Sequence, residues 1–265
     1  MDIIKWNIFV LASAILGCSL ATAGDRDSIT TSQGFRPVVT LQGGYASINA
    51  GNGAQRYTGT DSDDVFTYTN SGNSRNGGVL GVFLGAEHTL PWISYPGVFM
   101  EAGVEYNYFG NMSVKGINTV GVEPQTSTTY QYNYTLQTQQ VLGIFKLFAT
   151  AYERFHPYVE VGLGAAFNHA GQYNVTTTET GSLNLTPSFS NQSQTQFSYS
   201  LGLGCDTQVS TKIRVGLDYR YSQFGSSSLH NGTVAFNNYQ FPVSFNLGSS
   251  NIYANQLIAH ISYVI

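Results

Sequence analysis

Phe197-Ser198-Tyr199-Ser200-Leu201-Gly202-Leu203-Gly204-Cys205 carries an apolar side chain at every odd number, with Ser or Gly between. Ile213-Arg214-Val215-Gly216-Leu217-Asp218-Tyr219-Arg220-Tyr221 repeats the pattern with charges in its second phase. A period of two puts the two sets on opposite faces of a β-strand. Val38–Asn49, Gly77–Leu90, Val98–Phe109, Gln139–Tyr152, Tyr158–Asn168 and Asn255–Ile265 alternate in the same way, which makes eight segments. Their length suits a tilted strand crossing a membrane, which takes about 9–11 residues.

The content of the phases separates a membrane barrel from a soluble sandwich. One phase reads Val159, Val161, Leu163, Ala165, Phe167, then Ile213, Val215, Leu217, then Leu257, Ala259, Ile261, with no charge. A lipid-facing charge near the midplane costs ~2–4 kcal/mol, so a clean apolar phase is what lipid demands. The other phase is small, with Gly162, Gly164, Gly202, Gly204 and Gly216 recurring, as the narrow interior of a small barrel requires. Connections alternate as well: short ones near 91–97, 153–157 and 208–211, long ones at 50–76, 110–135, 169–195 and 225–254. Such long Asn, Ser, Thr, Gly and Gln tracts count against strands in a compact soluble domain but are regular in membrane barrels. Tyr106, Tyr108, Phe109, Tyr219, Tyr221 and Phe224 at one end of the segments, and Trp92, Tyr95, Phe155 and Tyr263 at the other, are expected to form interfacial girdles. The reading is all-β: an eight-stranded antiparallel up-and-down transmembrane β-barrel over residues 37–265.

Composition agrees. Of 265 residues only 10% are charged, against about a quarter in ordinary domains, while 14% are aromatic and 29 are glycine. Disordered chains show the opposite balance, and helical bundles spend their length on Ala, Leu, Glu and Lys. A net charge of -4 argues against a nucleic-acid binder, which needs a basic stripe. At the N-terminus, Lys5, the apolar run Trp6 to Leu20 and Ala21-Thr22-Ala23 read as a secretory signal cleaved after residue 23. Ile15-Leu16-Gly17-Cys18 offers an alternative, a lipoprotein box acylated at Cys18, although Leu16 is bulkier than such boxes usually carry. Residues 24–36 would then be a short periplasmic segment, and an even strand count would leave both termini periplasmic with the four long loops outside. Cleavage would leave Cys205 as the single cysteine, so no intramolecular disulfide is expected.

The interior phase holds Glu87, Glu101, Glu105, Lys146, Glu160, Asp206, Arg214, Asp218, Arg220 and His260. Carboxylates beside a histidine are the material of an acid/base site, but inside a small barrel they are expected to pair as a buried ion network, since an unpaired buried charge is too costly. His260-Ile261-Ser262 superficially resembles the His-x-Ser of outer-membrane lipid A deacylases, yet no acid follows it to orient the base. Asp61, Asp63 and Asp64 lack both a strand-anchored histidine, as barrel proteases use, and the Gly and closing Glu of a calcium loop. No catalytic residue, metal or cofactor is expected. A wide pore is excluded too, because eight strands leave an interior that side chains fill, while open channels take about sixteen. In the long loops, Tyr130, Tyr132, Tyr134, Tyr173, Phe189, Phe236 and Tyr239 are candidates for a recognition surface, because Tyr gives large contact area at low entropic cost. The scarcity of charge in those loops argues against a polyanionic partner.

Pro157-Tyr158-Val159-Glu160-Val161-Gly162-Leu163-Gly164, Tyr199-Ser200-Leu201-Gly202-Leu203-Gly204 and Val215-Gly216-Leu217-Asp218-Tyr219-Arg220-Tyr221 together resemble the small eight-stranded outer-membrane proteins of the OmpA transmembrane-domain and opacity-protein type. The resemblance covers residues 37–265. It implies a surface-exposed barrel in the cell outer membrane, probed by host molecules, phage or neighbouring cells through its loops. Implied partners are outer-membrane lipid and lipopolysaccharide, the barrel-assembly machinery and host surface molecules, with the chain a monomer. Two departures stand out: the chain ends Tyr263-Val264-Ile265 where such barrels usually end on an aromatic, and no peptidoglycan-binding domain follows the barrel. The expected function is a non-enzymatic envelope or adhesive role. The alternatives are a narrow porin-like passage for small solutes and a lipid A-modifying barrel enzyme.

Overall fold

A computed structural model describes residues 34–51, 53–58, 65–70, 74–90, 97–120, 128–151, 154–177, 186–236, 239–243 and 245–265. Residues 1–33, with the expected signal segment and Cys18, and Asp61, Asp63 and Asp64 lie outside them. Thirteen strands are formed by the described residues. Eight make the wall: β1 (Phe35–Asn49), β4 (Ser74–Thr89), β5 (Val98–Val120), β6 (Thr128–Ala149), β7 (Phe155–Thr177), β9 (Gln192–Gln208), β10 (Ile213–Ser228) and β13 (Gly248–Val264). They run in the order β5-β4-β1-β13-β10-β9-β7-β6, and β6 pairs back onto β5, so the ring is closed and every wall pairing is antiparallel. Closure removes the free edges that an open sheet would expose. Each of the eight alternating segments falls on one of these wall strands, with Gly77–Leu90, Gln139–Tyr152 and Asn255–Ile265 running past the strand ends at Thr89, Ala149 and Val264.

The faces are inverted relative to a soluble protein. Leu41, Leu80, Leu84, Val104, Val159, Leu163, Leu201, Leu217, Leu257 and Ile261 are exposed, whereas Glu105, Arg220, Asn107 and Ser222 are wholly buried. Only a solvent that is itself apolar makes that arrangement favourable, so the belt of exposed Leu, Val and Ile is the surface that meets lipid.

The strands do not stop where the belt does. β5 and β7 are 23 residues long and β6 is 22, about twice what a crossing needs. Much of what the sequence suggested as loop is therefore β-structure: β5 and β6 stay paired up to Val120 and Thr128. β2 (Gly53–Thr58) and β3 (Val65–Asn70) form a hairpin that adds to β5 at Gly116–Val120. β8 (Thr186–Ser190), β11 (His230–Phe236) and β12 (Tyr239–Val243) form a separate sheet at the same, loop-bearing end.

Four wall strands change phase as they leave the belt. Gly110, Gln172, Gly225 and Asn251 have φ of 70°, 57°, 75° and 58°, and the pairing register slips beside Gly110, Gln172 and Gly225. A bulge inserts one residue, so the inward phase changes parity beyond it, from odd to even in β5 and from even to odd in β7 and β10. In β5, Glu101, Glu105, Asn107 and Phe109 are buried before Gly110, and Met112, Val114, Asn118 and Val120 after it. β6 has no such break, and Tyr130, Tyr132, Tyr134, Leu136, Leu142, Ile144 and Lys146 are all buried on one continuous phase.

One expectation needs correction here. Phe109 and Phe224 are not girdle residues: both are buried inside, their rings in edge contact at 4.7 Å, immediately before the bulges at Gly110 and Gly225.

Candidate functional site

The interior of the barrel is where the polar chemistry is concentrated, and it is built in layers. Nearest the short turns, Arg214 on β10 donates from one terminal nitrogen to Glu87 on β4 and to Glu101 on β5, each at 2.6 Å. Its guanidinium lies beside the stacked pair of Phe99 and Phe148, 5.4 and 5.6 Å from their centroids, and Arg36 reaches the same Glu87 from β1. A recess of about 90 Å³ opens at this end, lined among others by Arg36, Glu87, His156 and Arg214.

One step further in, Arg220 pairs with Glu105 and donates to Glu160 at 3.1 Å. Lys146 lies 3.6 Å from Glu160 and over the rings of Phe83 and Tyr158. His260 sits between two acids, Nε2 at 2.8 Å from Asp206 and Nδ1 at 3.4 Å from Asp218, and the Tyr158 hydroxyl donates to Asp218. Each of the ten interior residues named from the sequence is thus buried and stands in at least one ion pair with another of the set. The arrangement leaves few lone pairs without a counter-charge, which is what a desolvated network needs. Arg36, Tyr158 and the aromatic rings around Arg214 complete the network, and they carried no signal in the alternation beyond their phase.

Above the charges lies a layer of amides and hydroxyls: Gln42 donates to Asn107 at 2.7 Å, Asn107 to Glu105 at 2.6 Å, Gln140 to Ser198 and Gln256 to Ser222 at 2.7 Å each. Then comes an apolar collar of Phe109, Met112, Leu136, Phe224, Ile252 and Ala254. At the loop end, Tyr68, Tyr132, Phe189, Tyr173 and Phe245 meet edge to face or tilted at 4.9–5.8 Å, Tyr132 stacks on Tyr173 at 5.9 Å, and Tyr57 stacks on Phe245. Tyr134 bonds Ser249 at 2.9 Å. Burial pushes the Tyr134 phenol up to about 12, and those of Tyr68, Tyr132 and Tyr173 upward as well.

The aromatic loop candidates therefore fall differently from expectation. Tyr130, Tyr132, Tyr134 and Phe189 are buried, and Tyr173 packs against them. They form a core under the loop end and are not on the surface, because the strands continue past the belt and carry the inward phase with them. Phe236 and Tyr239 pair across the end of the β11–β12 hairpin. Chemically, His260 and Ser262 do not form a nucleophile pair: Ser262 shares its hydroxyl bond with Thr40 at 2.8 Å, and His260 turns to its two acids. Among the described residues no group of three or more His, Cys, Asp or Glu is arranged to hold a metal ion.

Residues 9–247 match the family described as the outer membrane protein beta-barrel domain. The chain belongs to that outer-membrane β-barrel family. Among curated proteins none matches the sequence. In solved structures, the barrel is similar to Neisserial surface protein A (12% identity, 87% of this chain and 98% of that one, TM-score 0.40). It is similar also to OprG from Pseudomonas aeruginosa (10% identity, 86% and 95%, TM-score 0.37) and to the outer membrane protease OmpT from Escherichia coli (11% identity, 89% and 100%, TM-score 0.33). Family membership places this outer-membrane barrel in the outer membrane, with its exposed Leu and Val belt in the lipid.

Proposed function

We propose that this outer-membrane barrel is a non-enzymatic, non-conducting envelope protein, with the loop end outside the cell, the termini in the periplasm, and adhesion or ligand contact made by the β-structured loop end. The observation that carries the reading is the filled lumen. An ion network at one end, an amide layer, an apolar collar and an aromatic core at the other occupy successive levels of one narrow barrel. A solute path would have to cross the collar of Phe109, Leu136, Phe224 and Ile252, which offers no charge and whose polar neighbours Thr138 and Asn168 are bonded to each other and to the Phe224 carbonyl. Contact with partners then falls to outward residues of the extended strands, such as Lys115, Ile117, Gln131 and Asn133, rather than to the buried tyrosines.

Cells that express or lack the chain test this. Lipid A should have the same mass profile in both, and also with His260→Ala. Protease added to intact cells should cut within the long connections at 50–76, 110–135, 169–195 and 225–254 and leave the belt strands protected, and deletion should raise detergent sensitivity or lower adherence to host matrix. A lipid A species that depends on the chain would contradict the non-enzymatic reading.

A further inference from the structure

The amide and hydroxyl layer inside the barrel closes on itself. Gln42 on β1 reaches across β4 to Asn107 on β5, and Asn107 stands opposite Gln140 on β6. Gln140 reaches across β7 to Ser198 on β9. Ser200, two residues along the same strand, faces Ser222 on β10, and Ser222 takes the amide of Gln256 on β13, the neighbour of β1. Gly81 leaves room for the first of these bonds, since a Cβ there would meet Asn107 Oδ1 and Gln42 Nε2. The charged layer lies below this ring and the apolar collar above it.

Bonds within the ring fix which end of each amide is left over. Asn107 commits its nitrogen to Glu105, so its oxygen accepts, and Gln42 must turn its own nitrogen to it. Ser198 donates its hydroxyl to the Gln223 carbonyl, which turns the Gln140 nitrogen inward to Ser198 in the same way. Gln256 donates to Ser222. Three amide oxygens, Gln42 Oε1, Gln140 Oε1 and Gln256 Oε1, therefore stay buried without a hydrogen-bond partner, and so does the Ser200 hydroxyl. A buried acceptor in that state is costly, and a ring of carbonyl oxygens is what replaces the hydration shell of a monovalent cation.

The charge balance points the same way. Six buried carboxylates, Glu87, Glu101, Glu105, Glu160, Asp206 and Asp218, face five cationic groups, Arg36, Lys146, Arg214, Arg220 and His260 counted as protonated, which leaves the described interior one positive charge short. His156 adds none, because it bonds the Thr150 hydroxyl and pairs with no acid among the described residues. Water in the ring would satisfy the oxygens and leave the charge short, whereas a cation does both.

We propose that this ring holds a monovalent alkali cation, bound by the carbonyl oxygens of Gln42, Gln140 and Gln256 and the Ser200 hydroxyl. A divalent ion does not fit: calcium and magnesium take carboxylate ligands, and the carboxylate bonded to the ring, Glu105, is already taken by Arg220 and Asn107. The cation completes the charge of the network and ties β1, β6, β9 and β13 together across the lumen.

The test uses the full chain refolded into lipid vesicles, unfolded with urea at constant ionic strength while potassium chloride replaces choline chloride, whose cation is too large for the ring. The folding equilibrium constant should rise towards tenfold for each tenfold rise in potassium. Rubidium diffused into crystals of the barrel should give one anomalous peak, within bonding distance of the three amide oxygens. Gln256→Lys puts an ammonium in the ring, so it should lose the rubidium peak and unfold independently of potassium, at no lower urea than the wild type in choline. Gln140→Leu removes a ligand without adding charge and should also lose the potassium dependence, which carries the test if Gln256→Lys does not fold by the unboiled gel shift. Wild-type unfolding that ignores potassium, rubidium found only outside the ring, or variants that keep the wild-type dependence would overturn the proposal. So would an infrared carbonyl band from a protonated carboxylic acid at neutral pH in potassium, since a proton would then make up the charge.

Discussion

Arg220 on β10 and Glu105 on β5 form an ion pair across the full width of the barrel, since four strand steps separate the two strands in either direction around the ring. Arg214 and Glu101, from the same two strands, make a second crossing nearer the turns. The opposing walls are tied together through charge, at positions where an apolar core would do the same work in a soluble barrel.

Removing one end of such a tie leaves a buried charge uncompensated. Arg220→Met should destabilise the barrel by ~3–5 kcal/mol, measured as a lower urea midpoint for unfolding from lipid vesicles. Arg220→Met combined with Glu105→Gln and Glu160→Gln should recover a large part of that loss, because the penalty belongs to the orphaned acids.

Glycine at 216 is required by the network beside it. A Cβ there would stand 2.5 Å from His260 Nε2 and 2.7 Å from its Cε1, and would also meet Asp206. Gly216→Ala should therefore cost ~1–3 kcal/mol through overpacking. Gly143→Ala, whose Cβ meets nothing closer than the Leu163 carbonyl at 3.6 Å, should be near neutral in the same unfolding assay.

The lipid belt has a definite upper limit. Leu217 is exposed in mid-belt and Ile117 is exposed on β5 beyond the Gly110 bulge. Leu217→Arg should cost ~2–4 kcal/mol, the midplane penalty for a charge in lipid, and Ile117→Arg should cost far less. Equal costs, measured by vesicle refolding, would mean that the belt reaches Ile117.

The strands that cross lipid were legible in the sequence because lipid imposes an apolar phase with no exceptions: Val159 to Phe167 and Leu257 to Ile261 show it without interruption. The interior charges were legible for the complementary reason, that Arg214, Asp218 and Arg220 had nowhere else to point. Beyond the belt that constraint vanishes. Outward residues there are Gln131, Asn133 and Thr135, inward ones Tyr130, Tyr132 and Tyr134, and the alternation reads as a polar, tyrosine-rich loop. The continuous phase of Tyr134, Leu136, Leu142 and Lys146 was the signal for burial. The bulges at Gly110, Gln172, Gly225 and Asn251 hide the matching phase in the neighbouring strands, which is why Phe109 and Phe224 looked like girdle residues.

Alkali should loosen the loop end first. Buried phenols bind their protons more tightly in the folded barrel than in the unfolded chain. Their contribution is complete below the ordinary value of 10.0 and is lost as pH rises from there through about 12, the value for Tyr134. Phenolate absorbance should show Tyr134 titrating near that value in the folded protein and at the ordinary one in urea, with Tyr68, Tyr132 and Tyr173 also held above the ordinary value. Protease sensitivity at the loop end should rise over the same interval.

Conductance of the purified chain in planar bilayers tests the central claim, a lumen sealed along its length. The filled interior predicts no steady unitary current for the wild-type barrel. A reproducible ohmic channel carrying ions or small solutes would contradict the account and would mean that the collar of Phe109, Leu136, Phe224 and Ile252 opens in the membrane.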